Sequence, residues 1–195
     1  QIHGKLLGGD LTLSNGGPLT ISVTAIGEVP AGKMVRRKGA NLGDSIFVCG
    51  QIGTKAIGLK CAQDLPWAKR VGLGTTEIDD LVNEYAAPRV AFADIYADCI
   101  QRHAHAALDI SDGLVIDLER LCAASAVGAQ VNVDNIPFSP TIEKLLKNQA
   151  ISFVDLITGG DDYVQLFTAP STLVDEFPRA STAKFWEIGK IVEMS

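Results

Sequence analysis

The stretch Leu108-Asp109-Ile110-Ser111-Asp112-Gly113-Leu114 constrains this chain more than any other. Two carboxylates and a hydroxyl sit side by side behind the small apolar run Ala106-Ala107-Leu108. Leu114, Leu118, Leu121 and Cys122 then recur at the spacing of one helical face. The pattern reads as strand, tight turn and helix start. Ser111 or Asp112 is placed to cap that helix, because a short side-chain oxygen can accept from its free N–H groups. A helix N-terminus draws anions through those amides and its dipole, whereas two acids at the same point repel a phosphate. A divalent cation between carboxylates and phosphate oxygens resolves the conflict. The functional reading is a Mg2+–nucleotide site. A capping residue with one solvated Asp accounts for the same residues, and the stretch alone does not choose between them.

Composition narrows the class. With 195 residues, 47% of them hydrophobic, the chain can bury a core of one domain, or one and a piece, and is no disordered tail. A net charge of −6 argues against a nucleic-acid surface, which needs a basic stripe. Nucleotides stay open, because metal ions can supply positive charge. No apolar run approaches the roughly 20 residues that cross a membrane, and no signal peptide opens the chain. Gln1 in place of Met suggests a processed chain or a piece of a longer one. Cys49, Cys61, Cys99 and Cys122 form no Cys-x-x-Cys pair and are expected as reduced core thiols of a cytoplasmic protein. His103 and His105 would point to different faces of a helix end, so a solvated terminus is expected rather than a metal pair.

Along the chain, Gly8-Gly9-Asp10 sits in a turn-rich stretch where paired glycines allow close approach of backbone to a ligand. Residues 19–26 alternate apolar and polar, as a half-buried antiparallel strand does. Pro30, Gly32 and the basic cluster Lys33, Arg36, Arg37 and Lys38 read as a connector. Within so acidic a chain that cluster could also hold an anion, and Arg37 is the candidate, since an Arg fork suits phosphate. A buried strand is expected over 44–49, a helix over 53–63, a loop over 63–75, and a helix over 76–85 with Ile78, Leu81 and Val82 inward. Pro88 restarts a helix carrying Phe92, Ile95, Tyr96 and Cys99. After the central stretch come a strand over 129–133, a helix over 141–147, and a second dense site, Thr158-Gly159-Gly160-Asp161-Asp162-Tyr163. A strand over 164–168, a helix over 170–177 and a strand over 185–192 complete the series, with Trp67 and Trp186 as packing residues. Strands and helices mix without a strict βαβ rhythm, so the fold class is α+β.

Three sites now stand in fixed order: Gly8-Gly9-Asp10, Asp109-Ile110-Ser111-Asp112-Gly113-Leu114 and Thr158-Gly159-Gly160-Asp161-Asp162-Tyr163. With the spans Arg37-Lys38-Gly39-Ala40, Ser125-Ala126-Val127-Gly128-Ala129 and Ile136-Pro137-Phe138-Ser139, this set resembles the thiamine-monophosphate kinase family of the aminoimidazole ribonucleotide synthetase-like superfamily. The resemblance implies a C-terminal α/β domain over 31–195, preceded over 1–30 by the last strand of an N-terminal sheet domain that binds ATP and dimerises. It implies transfer of the γ-phosphate of ATP to thiamine monophosphate with Mg2+, in a homodimeric parent protein without nucleic-acid or membrane partners. Gly9, Asp10, Arg37 and Ser111 would contact ATP; Asp10, Asp109 and Asp112 would ligate metal; Asp161 would face the thiamine phosphate.

The chain departs from the family pattern. It starts near the first Gly-Gly-Asp, without the family's N-terminal acidic ligands, and stops before the C-terminal aromatic that covers thiamine. Many members carry Glu where Asp161 stands, so this contact is a methylene shorter. Little or no kinase activity is expected of this polypeptide alone. No catalytic residue is assigned, because the acceptor is already a phosphate oxyanion and no proton has to leave before attack; neutralising two polyanions and aligning them suffices. Two alternatives stay open. One is another ATP-using member of the superfamily: aminoimidazole ribonucleotide synthetase, selenophosphate synthetase or a hydrogenase maturation factor. The other is a non-catalytic nucleotide-binding remnant.

Overall fold

The computed structural model describes residues 5–13, 16–88, 94–172 and 185–194. The chain divides into two compact units, Gln1–Pro30 and Ala31–Ser195. In the first, no described residue is assigned to a helix or a strand. The alternating segment expected as a half-buried strand is exposed throughout: Leu19 is 88% accessible, Ile21 78%, Val23 85% and Ile26 82%. The pattern suits a strand, but a strand is stabilised only by a neighbour, and the described residues pair none with it.

The second unit opens with β1 (Ser45–Cys49), α1 (Thr54–Gln63), α2 (Leu65–Arg70), α3 (Thr75–Ala86) and α4 (Asp94–His103). Then come β2 (Ala106–Ile110), α5 (Leu114–Ser125), β3 (Gly128–Val131), α6 (Pro140–Lys147), α7 (Phe153–Thr158), β4 (Val164–Ala169) and β5 (Trp186–Val192). The strands form one sheet in the order β2-β4-β1-β5-β3, every pair antiparallel. The α+β class is therefore correct. Neighbours in the sheet are distant in sequence, which is why the helices fall into long excursions between them.

Every residue of β1 is buried, as expected for a central strand covered on both faces. On one face Ile46, Val48, Ile110 and Leu166 pack against Leu114, Leu118 and Leu121 of α5. On the other, Phe47 stacks on its cross-strand partner Phe167, ring centroids 5.1 Å apart, beside Ile100 of α4. A third cluster joins Ile57, Cys61, Ile78, Leu81, Ile142, Leu145 and Leu156 from α1, α3, α6 and α7. The close α1–α3 approach depends on Gly58, where a Cβ would lie 2.2 Å from the Leu81 carbonyl oxygen.

Some expectations change. The loop expected over 63–75 contains α2, because Pro66 falls in its first turn, where the missing N–H costs nothing, and Asp64 caps Trp67 N–H at 2.8 Å. The restart at Pro88 runs into residues 89–93, outside the described set, and α4 is described from Asp94. The helix expected over 170–177 falls largely on residues 173–184, also outside it. Trp67 is a packing residue, and Cys49, Cys61 and Cys122 are buried free thiols, while Cys99 is half-buried. His105 is exposed, as expected, but not unpartnered: its Nδ1 lies 2.9 Å from Asp44 Oδ2 and 2.9 Å from Asn41 Nδ2. Among the described residues no helix is long and apolar enough to cross a membrane.

Candidate functional site

The two dense motifs meet because β2 and β4 are neighbours. Asp109 pairs with Gln165 and Ile110 with Val164. Beyond the ladder the pairing continues as loop against loop: Asp161 N–H donates to Ser111 O and Tyr163 N–H to Ile110 O, both at 2.8 Å. A Cβ at Gly160 would stand 2.5 Å from Ser111 O, so only glycine admits this approach. Gly113, with φ of +128°, likewise presses against the Thr158 carbonyl oxygen, 2.7 Å from where its Cβ would be. Asp161 and Tyr163 take left-handed φ values of 68° and 51°. Asp tolerates that region; for a bulky Tyr it is strained and persists only where surroundings impose it.

The helix start differs from the expectation. Neither Ser111 nor Asp112 caps α5; the N-cap is Gly113, without a side-chain bond. The cap comes from inside the helix. Asp117, 1% exposed, turns Oδ2 back to accept N–H groups of Ser111 and Asp112 at 2.9 Å and of Gly113 at 3.3 Å. Its other oxygen accepts from Arg120 Nη1 at 2.9 Å, and the same nitrogen donates to Asp112 Oδ2. Both carboxylates push the Arg120 guanidinium pKa up, Asp112 foremost. The loop amides that could have met an anion are thus already satisfied by an internal carboxylate. Local spacing hid this, because Asp117 sits in the first turn of α5 and reads as an ordinary favourable helix acid.

Asp109 is exposed and lines a cleft of about 360 Å3 with Val35, Ile100, Tyr163 and Gln165. The Tyr163 hydroxyl donates to Asp161 Oδ1 at 2.9 Å, and that bond pushes the phenol pKa up. Tyr163 thus bonds Asp161 and shares the cleft with Asp109. The basic stretch runs nearby: Ala107 N–H donates to Arg36 O at 2.9 Å, which pairs the open edge of β2. Arg37 is exposed, two residues past the cleft-lining Val35. Gly9 and Asp10 lie in the first unit, both exposed, with Asp10 Oδ1 accepting from Leu11 N–H at 2.9 Å.

Asp162, adjacent in sequence, does something else. It is fully buried, and its Oδ2 accepts from Gly53 N–H at 2.7 Å, at the start of α1. Its Oδ1 finds no protein partner. Burial raises its pKa to about 6, against the lowering effect of the Gly53 amide and Lys55. Val164, next along β4, points away from Tyr163 and Gln165 and lines a separate cleft of about 320 Å3 with Thr54, Lys55, Glu77, Glu84 and Ser139. Lys55 is 7% exposed, with Glu84 Oε2 at 3.9 Å.

Carboxylate oxygens at Asp109 and Asp112 suit a hard cation such as Mg2+, which takes one or two protein ligands and completes its shell with phosphate and water. At Asp112 one carboxylate oxygen is already paired with the Arg120 guanidinium. Among the described residues no group of three or more His, Cys, Asp or Glu side chains could hold a metal by itself. A metal here would share its shell with a ligand.

The family model for AIR synthase related protein, C-terminal domain, matches residues 42–195. Thiamine-monophosphate kinase of Salmonella typhimurium is 34% identical over 167 residues, 85% of this chain and 48% of that protein. Among solved structures, thiamine-monophosphate kinase from Stenotrophomonas maltophilia K279a superposes with a TM-score of 0.73 at 28% identity, covering 86% of this chain and 53% of the other. AaThiL complexed with AMPPCP and TMP superposes with a TM-score of 0.67 at 32% identity, covering 83% and 48%. The chain spans about half the length of the curated relatives it matches.

Proposed function

The chain belongs to the AIR synthase related family through its C-terminal domain, and from that premise we propose that it is the acceptor-side and metal-side part of a thiamine-monophosphate kinase. The observation that carries this reading is the zipping of the Ser111 loop onto the Asp161 loop, which sets Tyr163 beside Asp109 in one cleft while the Tyr163 hydroxyl bonds Asp161. Similarity to a kinase complexed with AMPPCP and TMP supports the choice of ligands. In the second unit Asp109 and Asp112 would hold Mg2+, Arg37 and Ser111 would contact ATP, and Asp161 would face the phosphate of thiamine monophosphate; in the first, Gly9 and Asp10 would contact ATP and Asp10 would ligate metal. Bound there, Mg2+ would supply the positive charge that lets two polyanions approach. The residues themselves bind and orient. The Tyr163 hydroxyl holds the Asp161 carboxylate in place, and the Gly160 contact fixes the distance between loops. No general base is needed, because a phosphate monoester is its own nucleophile. The parent protein is proposed to be a homodimer.

The test is a coupled assay. With ATP and Mg2+, the intact reading frame that encodes this chain should form thiamine diphosphate and ADP from thiamine monophosphate, while this chain alone forms little. Turnover only with a different acceptor in a substrate panel would reassign the reading to another member of the superfamily.

A further inference from the structure

We propose that Arg120 is a built-in counter-cation for Asp112, one that a divalent cation must displace to reach that carboxylate. This rests on the reading of Asp112 as a metal ligand. Three observations carry it. Asp117 is buried and immobilised by the amides of Ser111, Asp112 and Gly113, so its remaining oxygen is a fixed anchor. Arg120 lies three residues further along α5, on the same face, and is tethered to that anchor at 2.9 Å. The same Nη1 also reaches Asp112, whose side chain is 52% exposed and so open to an incoming ion.

A single positive group thus stands between two carboxylates, where an ion bound at Asp112 would place its own charge. The two cations exclude each other by repulsion and by competition for the same oxygen. Displacement leaves the loop intact, because Asp117 keeps its three amides whether or not Arg120 holds Asp112. The contact being given up is an exposed ion pair, which is weak. The latch is therefore reversible, and it lowers affinity for free metal without abolishing it.

The experiment measures Mn2+ binding to the intact protein by electron paramagnetic resonance and calorimetry, with AMPPCP present to complete the metal's shell. Wild type, R120M, R120K, D112N and R120M/D112N are compared, and circular dichroism confirms that each is folded. R120M should bind Mn2+ roughly fivefold tighter than wild type. R120K should stay near wild type, and R120M should confer no gain on D112N. If D112N weakens binding but R120M leaves it unchanged or weaker, the latch is wrong and the metal reading stands. If D112N binds Mn2+ as wild type does, or if none of the chains binds it saturably, the metal reading falls and takes the latch with it.

Discussion

The buried carboxylate of Asp162 accepts a 2.7 Å hydrogen bond from the backbone N–H of Gly53, joining the start of β4 to the start of α1 across 109 residues of sequence. Its second oxygen is buried without a protein partner. The consequence is a pH dependence of stability. Burial raises its pKa from 3.8 to about 6, so the folded chain holds this proton more tightly than the unfolded chain does. The stabilising contribution is complete below pH about 4 and is lost as pH rises through about 6. Its size is on the order of 3 kcal/mol. Asp162→Asn keeps an acceptor for Gly53 and removes the charge. It should flatten stability between pH 4 and 6 and stabilise the chain at pH 7.5, as urea unfolding across that range would read out. An unchanged pH profile in the variant would contradict this account.

Asp117→Ala should cost about 2–3 kcal/mol, because charge-assisted bonds to the part-buried amides of Ser111 and Asp112 and the buried amide of Gly113 vanish and no protein group replaces them. Chemical denaturation measures the loss. Hydrogen exchange should show the amides of Ser111 and Asp112 newly unprotected, while those of β1 stay slow.

Gly160→Ala places a methyl 2.5 Å from Ser111 O, which is backbone and cannot swing aside. The two loops must part. A destabilisation of about 1–3 kcal/mol is expected, together with loss of thiamine monophosphate binding by the intact protein in calorimetry. Full binding with unaltered melting would show that the approach of the loops is dispensable.

Asp109→Asn tests the cleft acid. Asp109 is exposed and its strand pairing is through backbone, so stability should change by less than about 0.5 kcal/mol. Affinity of the intact protein for AMPPCP should fall about tenfold or more in Mg2+ and little in its absence. Equal loss with and without Mg2+ would assign Asp109 to structure rather than metal.

Much of this architecture could be read from local pattern. The apolar runs of β1, β4 and β5, the faces of α3 and α6, and the strand–turn–helix at Leu108–Leu114 follow from periodicities of two and about three and a half residues, which a short window contains. Ser139 with Pro140 marks the start of α6 by itself, and the Ser139 hydroxyl accepts Ile142 N–H at 3.3 Å. α2 was hidden because Pro66 reads as a breaker unless its position within a first turn is known. Residues 19–26 form no strand despite their alternation, because alternation reports a face to be covered and not the strand that covers it.

From the sequence alone come the α+β class, the positions of most elements and the candidacy of Asp109 and Asp112, since each depends on residues within a few positions of one another, whereas Asp161 becomes a candidate only through the family resemblance. Tertiary structure alone decided which acid does what. Asp161 and Asp162 are indistinguishable neighbours in the chain, yet a left-handed turn against Ser111 leaves one bonded to the Tyr163 hydroxyl and sends the other to the Gly53 amide at the start of α1. Asp112 and Asp117 divide likewise, one half-exposed beside Arg120 and the other buried under the loop's amides. Burial and hydrogen-bond partners assign these roles, and both are set by segments tens of residues away or by the path of a loop, which no local pattern encodes.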